Sequence, residues 1–291
     1  MTIEKWLQRN TSSLRGKRIA ISGATGGIGQ ELCRYLCKLD AELVLLDRNE
    51  EKSRALQEKL RQEYSDCRIS GITLDLERLE DVKKTASILR ELPLHALILN
   101  AGAYHIPRHT CDTGYDNIFQ INFLSPYILA RLLLPHLNEC GGKVVAVGSI
   151  AHTYSESDPK DVDFVSRKKH SKAYGNAKRY LMFSLYELFD GGEGLAVTHP
   201  GITFTNITAH YPKLIFALIK HPMKIIFMKP RRACLSIVRG LYEDCGKNQW
   251  IGPKYLRIWG LPKKQVLKTC SADESKRIAE IAETIYQQTI V

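Results

Sequence analysis

Apolar residues in this chain come in short continuous runs, separated by longer stretches in which they recur every three or four positions. Arg18–Ser22, Glu42–Leu46, Arg68–Leu74, Leu94–Leu99, Lys143–Val147 and Leu195–Thr198 each read as a strand. Runs such as LHALIL and KVVAV leave no polar face. Strands apolar on both sides belong inside a parallel sheet. Between them the periodicity predicts helices at Gly27–Leu39, about Glu50–Tyr64, Leu79–Glu91, Tyr115–Leu137 and Ala173–Phe189. Regular strand–helix alternation with right-handed crossovers gives a doubly wound α/β fold of Rossmann type. No linker or repeat divides the chain, so one domain spans 1–291, with Arg231–Glu243 and Ala272–Gln287 as closing helices.

The first strand ends in Ser22-Gly23-Ala24-Thr25-Gly26-Gly27-Ile28-Gly29. Glycines between a strand and a helix let backbone approach a pyrophosphate, and the helix N-terminus then faces the anion with free N–H groups. A dinucleotide is the expected ligand, held by Ser22, Gly23, Gly27, Ile28 and Gly29. Asp47 ends the second strand, where a carboxylate can accept hydrogen bonds from both ribose hydroxyls and repel a 2′-phosphate. Arg48 could pair with that phosphate instead. The balance favours NAD and leaves NADP open. Asp75, ending the third strand, reads either as an adenine contact or as a helix cap.

Composition adds little to this picture. The chain is 44% hydrophobic and 25% charged, as ordinary globular domains are. Its net charge of +11 suits anionic ligands, but the basic residues are dispersed and accompany no nucleic-acid motif, so none is expected as partner. Eight cysteines show no zinc-finger spacing, and no metal is expected. Cys33 and Cys37, one helical turn apart, read as buried apolar residues in a reducing, cytoplasmic protein. Glu4, Lys5, Gln8 and Arg9 interrupt any apolar run near Met1, so a secretory signal is not expected there.

Further segments with chemistry follow later strands: Asn100-Ala101-Gly102 after the fourth, Gly148-Ser149-Ile150 after the fifth, then Tyr174-Gly175-Asn176-Ala177-Lys178. Tyr174 and Lys178 share one helical face by their i, i+4 spacing. With these motifs in order, residues 16–205 resemble the classical short-chain dehydrogenase/reductase family. The glycine loop matches TGxxxGxG with Ser22 for the first Thr, Asn100–Gly102 match NAG, and Tyr174–Lys178 match YxxxK. Pro200-Gly201 with Thr205 match PGxxxT. The resemblance implies a tetrad of Asn122, Ser149, Tyr174 and Lys178, with Asn100, Ala101, Gly102, Pro200, Gly201 and Thr205 on the cofactor. It implies a homodimer or homotetramer through the two long helices. The long gap between Ser149 and Tyr174 is similar to that of the retinol-dehydrogenase-like branch.

An alcohol yields hydride only as its proton leaves, so a base must touch the hydroxyl. Tyr174 fits that role, with Lys178 lowering its pKa and holding the nicotinamide ribose, Ser149 orienting the substrate oxygen, and Asn122 holding a relay water. Residues 206–291 would close the substrate end. Within them Leu214–Pro230 is strongly apolar and interrupted by Lys220, His221, Pro222, Lys224 and Lys229. A lid over a lipophilic alcohol or carbonyl, a basic segment touching a membrane surface, and a core helix all fit it. Trp250, Tyr255 and Trp259 are expected to pack or to line that end. Three rival functions compete with this reading: a dinucleotide-sensing regulator without turnover, an extended-family sugar-nucleotide epimerase or dehydratase, and a surface-bound scaffold.

Overall fold

The computed structural model describes residues 1–190, 193–203 and 227–290. The six expected strands form as β1 (Arg18–Ser22), β2 (Glu42–Asp47), β3 (Ile69–Thr73), β4 (Ala96–Leu99), β5 (Lys143–Val147) and β6 (Leu195–Thr198). Two more extend the sheet, β7 (Gln249–Tyr255) and β8 (Trp259–Val266). Their order is β3-β2-β1-β4-β5-β6-β7-β8, parallel through β7, with β8 returning antiparallel. Succession reverses between β1 and β4, which opens a crevice beyond the carboxyl ends of those strands.

Alternate residues of each strand feed two separate cores. Ala20, Val44, Leu97, Val144 and Val197 pack with α4 (Leu79–Arg90), α6 (Ser125–Glu139) and α7 (His170–Leu188) on one face. Ile19, Leu43, Ile98, Val145 and Ala196 meet α1 (Ile3–Asn10), α2 (Gly27–Lys38) and α3 (Glu50–Glu63) on the other. Period-two alternation with both faces covered is the doubly wound arrangement.

Three expectations are corrected. The helix expected over Tyr115–Leu137 is three segments: α5 (Asn117–Phe119), a π-helical turn (Gln120–Leu124) and α6. Pro126 has no N–H to give the Asn122 carbonyl four residues back, so an unbroken α-helical ladder cannot form there. Arg231–Glu243 likewise divides into α8 (Pro230–Ala233) and α9 (Leu235–Gly240). Trp250 packs fully buried on β7, but Tyr255 and Trp259 are exposed at the tip of the β7–β8 hairpin. Together α5 to α6 are long and apolar enough to cross a membrane, yet 78% of that apolar window is buried within the fold.

Cys37 and Cys67 are joined by a disulfide, their Cα atoms 5.4 Å apart, while Cys33 stays a buried free thiol. Cys33 and Cys37 are both buried as expected, but Cys37 is bonded rather than free. The lipophilic run 214–230 lies outside the described residues except for its last four, of which Thr203-paired Met228 holds the chain beside β6.

Candidate active site

The glycine turn is shaped by contacts that tolerate no side chain. A Cβ on Gly29 would fall 2.3 Å from the Gly23 carbonyl oxygen, and one on Gly23 2.9 Å from the Ala101 Cα. Gly23 also takes φ +68°, the left-handed region open to glycine. Ser22 is buried: its hydroxyl donates to the Ile98 carbonyl and accepts from the N–H groups of Asn100 and Ala101, each at 3.1 Å. Asn100 returns the clamp, its amide donating to the carbonyls of Ser22 and Gly23. Ser22 thus shapes the turn rather than reaching into the crevice.

Beside this turn lies a cleft of about 430 Å³, lined by Gly23, Thr25–Gly29, Asp47–Asn49, Lys52, Asp75 and Asn100–Gly102 among others. The first turn of α2 contributes its free N–H groups there, so the cradle fits a pyrophosphate. Asp47 is 3% exposed and turned inward. Its carboxylate accepts from the Thr25 N–H at 3.0 Å, the Thr25 hydroxyl at 2.9 Å and the Ser53 hydroxyl at 3.3 Å. Burial raises its pKa, with those hydrogen bonds opposing. Arg48 is exposed, 3.5 Å from Glu77. Asp75 accepts from the Glu77 N–H at 3.0 Å, a turn-stabilising bond, and also borders the cleft.

The expected tetrad gathers at the far side of Gly102. Lys178, 2% exposed, projects from α7, and its ammonium donates to the Val147 carbonyl at 3.0 Å. It lies 5.9 Å from the centre of the Tyr174 ring and would be 3.5 Å from a Cβ on Gly102. The Tyr174 hydroxyl hydrogen-bonds Ser149, whose oxygen caps the following 3₁₀ turn (Ile150–Thr153) through the Ala151 N–H. Burial pushes the Tyr174 phenol up to about 12, against the Ser149 hydrogen bond, and lowers Lys178 to about 8. The direction for Tyr174 is opposite to that expected from Lys178 alone. Desolvation sets that direction, with the Ser149 hydrogen bond opposing it and Tyr104 and Tyr154 adding to it.

Asn122 is wholly buried and its side chain is committed to backbone. The amide donates to the carbonyls of Ala103 and Ile118, and its oxygen accepts from the Ala103 N–H. This clamps the segment after β4 against the π-helical turn. Pro200 and Gly201 leave β6 together; Gly201 has φ +80°, and a Cβ there would meet the Ile258 carbonyl at 2.7 Å. Thr205 lies outside the described residues.

Other residues of the site carry no motif. Tyr104 stands edge-on to Tyr174, ring centres 5.2 Å apart. Behind Ser149, His152 is buried between the Ser149 carbonyl at 2.6 Å and the Thr269 hydroxyl at 2.7 Å. Arg179, next to Lys178, pairs with Glu274 at 2.7 Å and donates to the carbonyls of His152 and Thr269. Polar residues in an apolar helix were the available signal for Arg179; nothing local marks Tyr104.

The short chain dehydrogenase family matches residues 17–157. Short-chain dehydrogenase TIC 32 A, chloroplastic, of Brassica napus is 30% identical over 224 residues, 69% of this chain and 68% of that protein. Retinol dehydrogenase 13 of Homo sapiens is 28% identical over 207 residues, 68% of this chain and 62% of its own length, so the chain spans less than two thirds of it. A solved short-chain dehydrogenase from Sphingobium yanoikuyae, in complex with NADPH, superposes with a TM-score of 0.60 at 20% identity, covering 94% of this chain and 96% of that one. That last likeness carries the fold; the sequence matches carry kinship. The chain belongs to the short-chain dehydrogenase family, with relatives in its retinol-dehydrogenase-like branch.

Proposed function

We propose that the chain transfers a hydride between a nicotinamide dinucleotide and the hydroxyl or carbonyl carbon of a lipophilic small molecule, with Tyr174 as general acid/base. The observation that carries this reading is the convergence of Tyr174, Ser149 and Lys178 beside Gly102. Bound there, a nicotinamide ring supplies the hydride acceptor or donor and, when oxidised, a positive charge.

The protein's residues manage the proton. To act near pH 8, a phenol at about 12 must fall by roughly four pKa units, or about 5 kcal/mol. The Lys178 ammonium, 5.9 Å from the ring centre, favours the phenolate by a few kcal/mol at most at an effective dielectric of about 20. Lys178 therefore supplies part of the shift, and only below about pH 8, where it stays protonated. The remainder needs the second positive charge, which makes the base strong only in the complex. Ser149 donates to the substrate oxygen as charge develops on it. Tyr174 takes the hydroxyl proton in oxidation and returns it in reduction.

The geometry favours NADP over the NAD that Asp47 suggested. Thr25 and Ser53 already occupy the Asp47 carboxylate, while Arg48 and Lys52 offer cations at the same edge. The lipophilic substrate is supported by the apolar run 214–230 and by the retinol dehydrogenase among the relatives. The test is to screen isoprenoid and steroid alcohols and their carbonyls with each cofactor, following nicotinamide absorbance. Turnover of at least one supports the reading; cofactor binding with no turnover of any supports a regulator instead.

A further inference from the structure

Three side chains from two loops meet at the rim of the cleft. Glu77 follows β3, whereas His109 and Cys111 belong to the segment between β4 and α5. One ligand atom from each lies within 4.8 Å of the other two. His109 Nε2 is 2.9 Å from a Glu77 oxygen. Its Nδ1 is 3.0 Å from the Asn117 side-chain amide, which fixes the ring. Cys111 is buried and closes a tight loop, accepting from the Gly114 N–H at 2.8 Å and donating to the Tyr115 carbonyl at 2.9 Å.

We propose that Glu77, His109 and Cys111 bind zinc. Thiolate, imidazole and carboxylate together suit zinc and exclude the hard cations calcium and magnesium. In a tetrahedral site the ligand atoms stand roughly 3.3–3.8 Å apart, so closing the cluster asks for shifts near 1 Å. A thiolate and a carboxylate balance the dication, and water completes the fourth position. Binding releases the Cys111 proton. Zinc on Nε2 puts the His109 ring proton on Nδ1, where the Asn117 amide nitrogen now donates, so that contact must shift. Asp75, Asp112 and Asp116 also face the thiol and deepen the local negative potential.

Sequence spacing hides this site, since Glu77 is far along the chain from the other two. The test titrates cobalt(II) into the full chain, previously treated with chelator, and follows thiolate-to-cobalt charge-transfer absorption, then displaces it with zinc. One cobalt per chain with a thiolate band is expected. Cys111→Ser should remove the band, and His109→Ala should weaken metal binding by about a hundredfold, with circular dichroism unchanged in both. Cys140→Ser is the control, because Cys140 and His136 form another such pair at 3.7 Å. No band in the native chain, or a band that survives Cys111→Ser or vanishes in Cys140→Ser, overturns the proposal. None of these readouts depends on turnover.

Discussion

Replacing Glu274 with Gln keeps shape and removes one charge from beneath the site. Glu274 is 8% exposed, and the Arg179 side chain 3%. Glu274 binds the Arg179 guanidinium with both oxygens and accepts from the Ser157 N–H and hydroxyl. Those bonds hold its carboxyl down at about 2, from 4.5, against burial. A shift of 2.5 units corresponds to about 3 kcal/mol. Breaking a buried pair by removing one partner costs about 3–5 kcal/mol, so two independent routes agree. At pH 7 the variant should lose about 3 kcal/mol in urea unfolding, a fall in midpoint of about 1 M. The sign of the pH dependence is fixed as well. A carboxyl whose folded pKa is depressed stabilises above its unfolded value, and that stabilisation drains away as pH falls from about 4.5 to about 2. The gap between native and variant proteins should therefore narrow across that window. Equal midpoints at pH 7, or a gap indifferent to pH, would refute the reasoning.

Gly29→Ala drives a methyl into the Gly23 and Ala24 carbonyls, at 2.3 and 2.7 Å. It should cost about 2–3 kcal/mol of stability and most of the cofactor affinity, while Gly246→Ala, whose added methyl meets nothing closer than 3.6 Å, should leave both unchanged in unfolding and cofactor-fluorescence titrations. His152 and His199 are buried and held by desolvation at about 4 and about 3, so the unfolded chain binds their protons first as pH drops below 6.5. Stability should fall from pH 6.5 toward 4 by up to about 2.7 kcal/mol per unit, two protons' worth. A urea midpoint that stays flat between pH 6.5 and 5 contradicts their neutral burial. Arg48→Ala should raise the KM for NADP about tenfold and leave that for NAD nearly unchanged; equal effects on both would remove Arg48 from phosphate recognition.

Much of this molecule is legible from its sequence because burial on both faces writes itself as unbroken apolar runs. Lys143–Val147 and Leu195–Thr198 have the limits the pattern predicts. Strand β8 escaped because an edge strand need not be apolar, Lys263, Lys264 and Gln265 interrupting it, and β7 because Gly252 and Pro253 break its apolar run, Pro253 facing Pro262 across the pair. The π-helical turn was signalled by Pro126 four residues after Asn122, once that spacing is treated as a missing donor rather than a helix start. Motif spacing places the site residues along the chain but does not say what they touch. Asp47 faces Thr25 and Ser53, and the Asn122 amide grips Ala103, because partners brought together by folding leave no local spacing to read. The Tyr174 phenol shows the same limit: residue types suggested a lowered pKa, whereas burial, a tertiary property, raises it.

The most direct test follows one turnover in Tyr174→Phe. Stopped-flow absorbance with a lipophilic alcohol and saturating oxidised cofactor should show hydride transfer slowed by about a thousandfold or more. Cofactor affinity should be unchanged. Transfer at the native rate would mean that another group takes the proton, and the account of this site would fail.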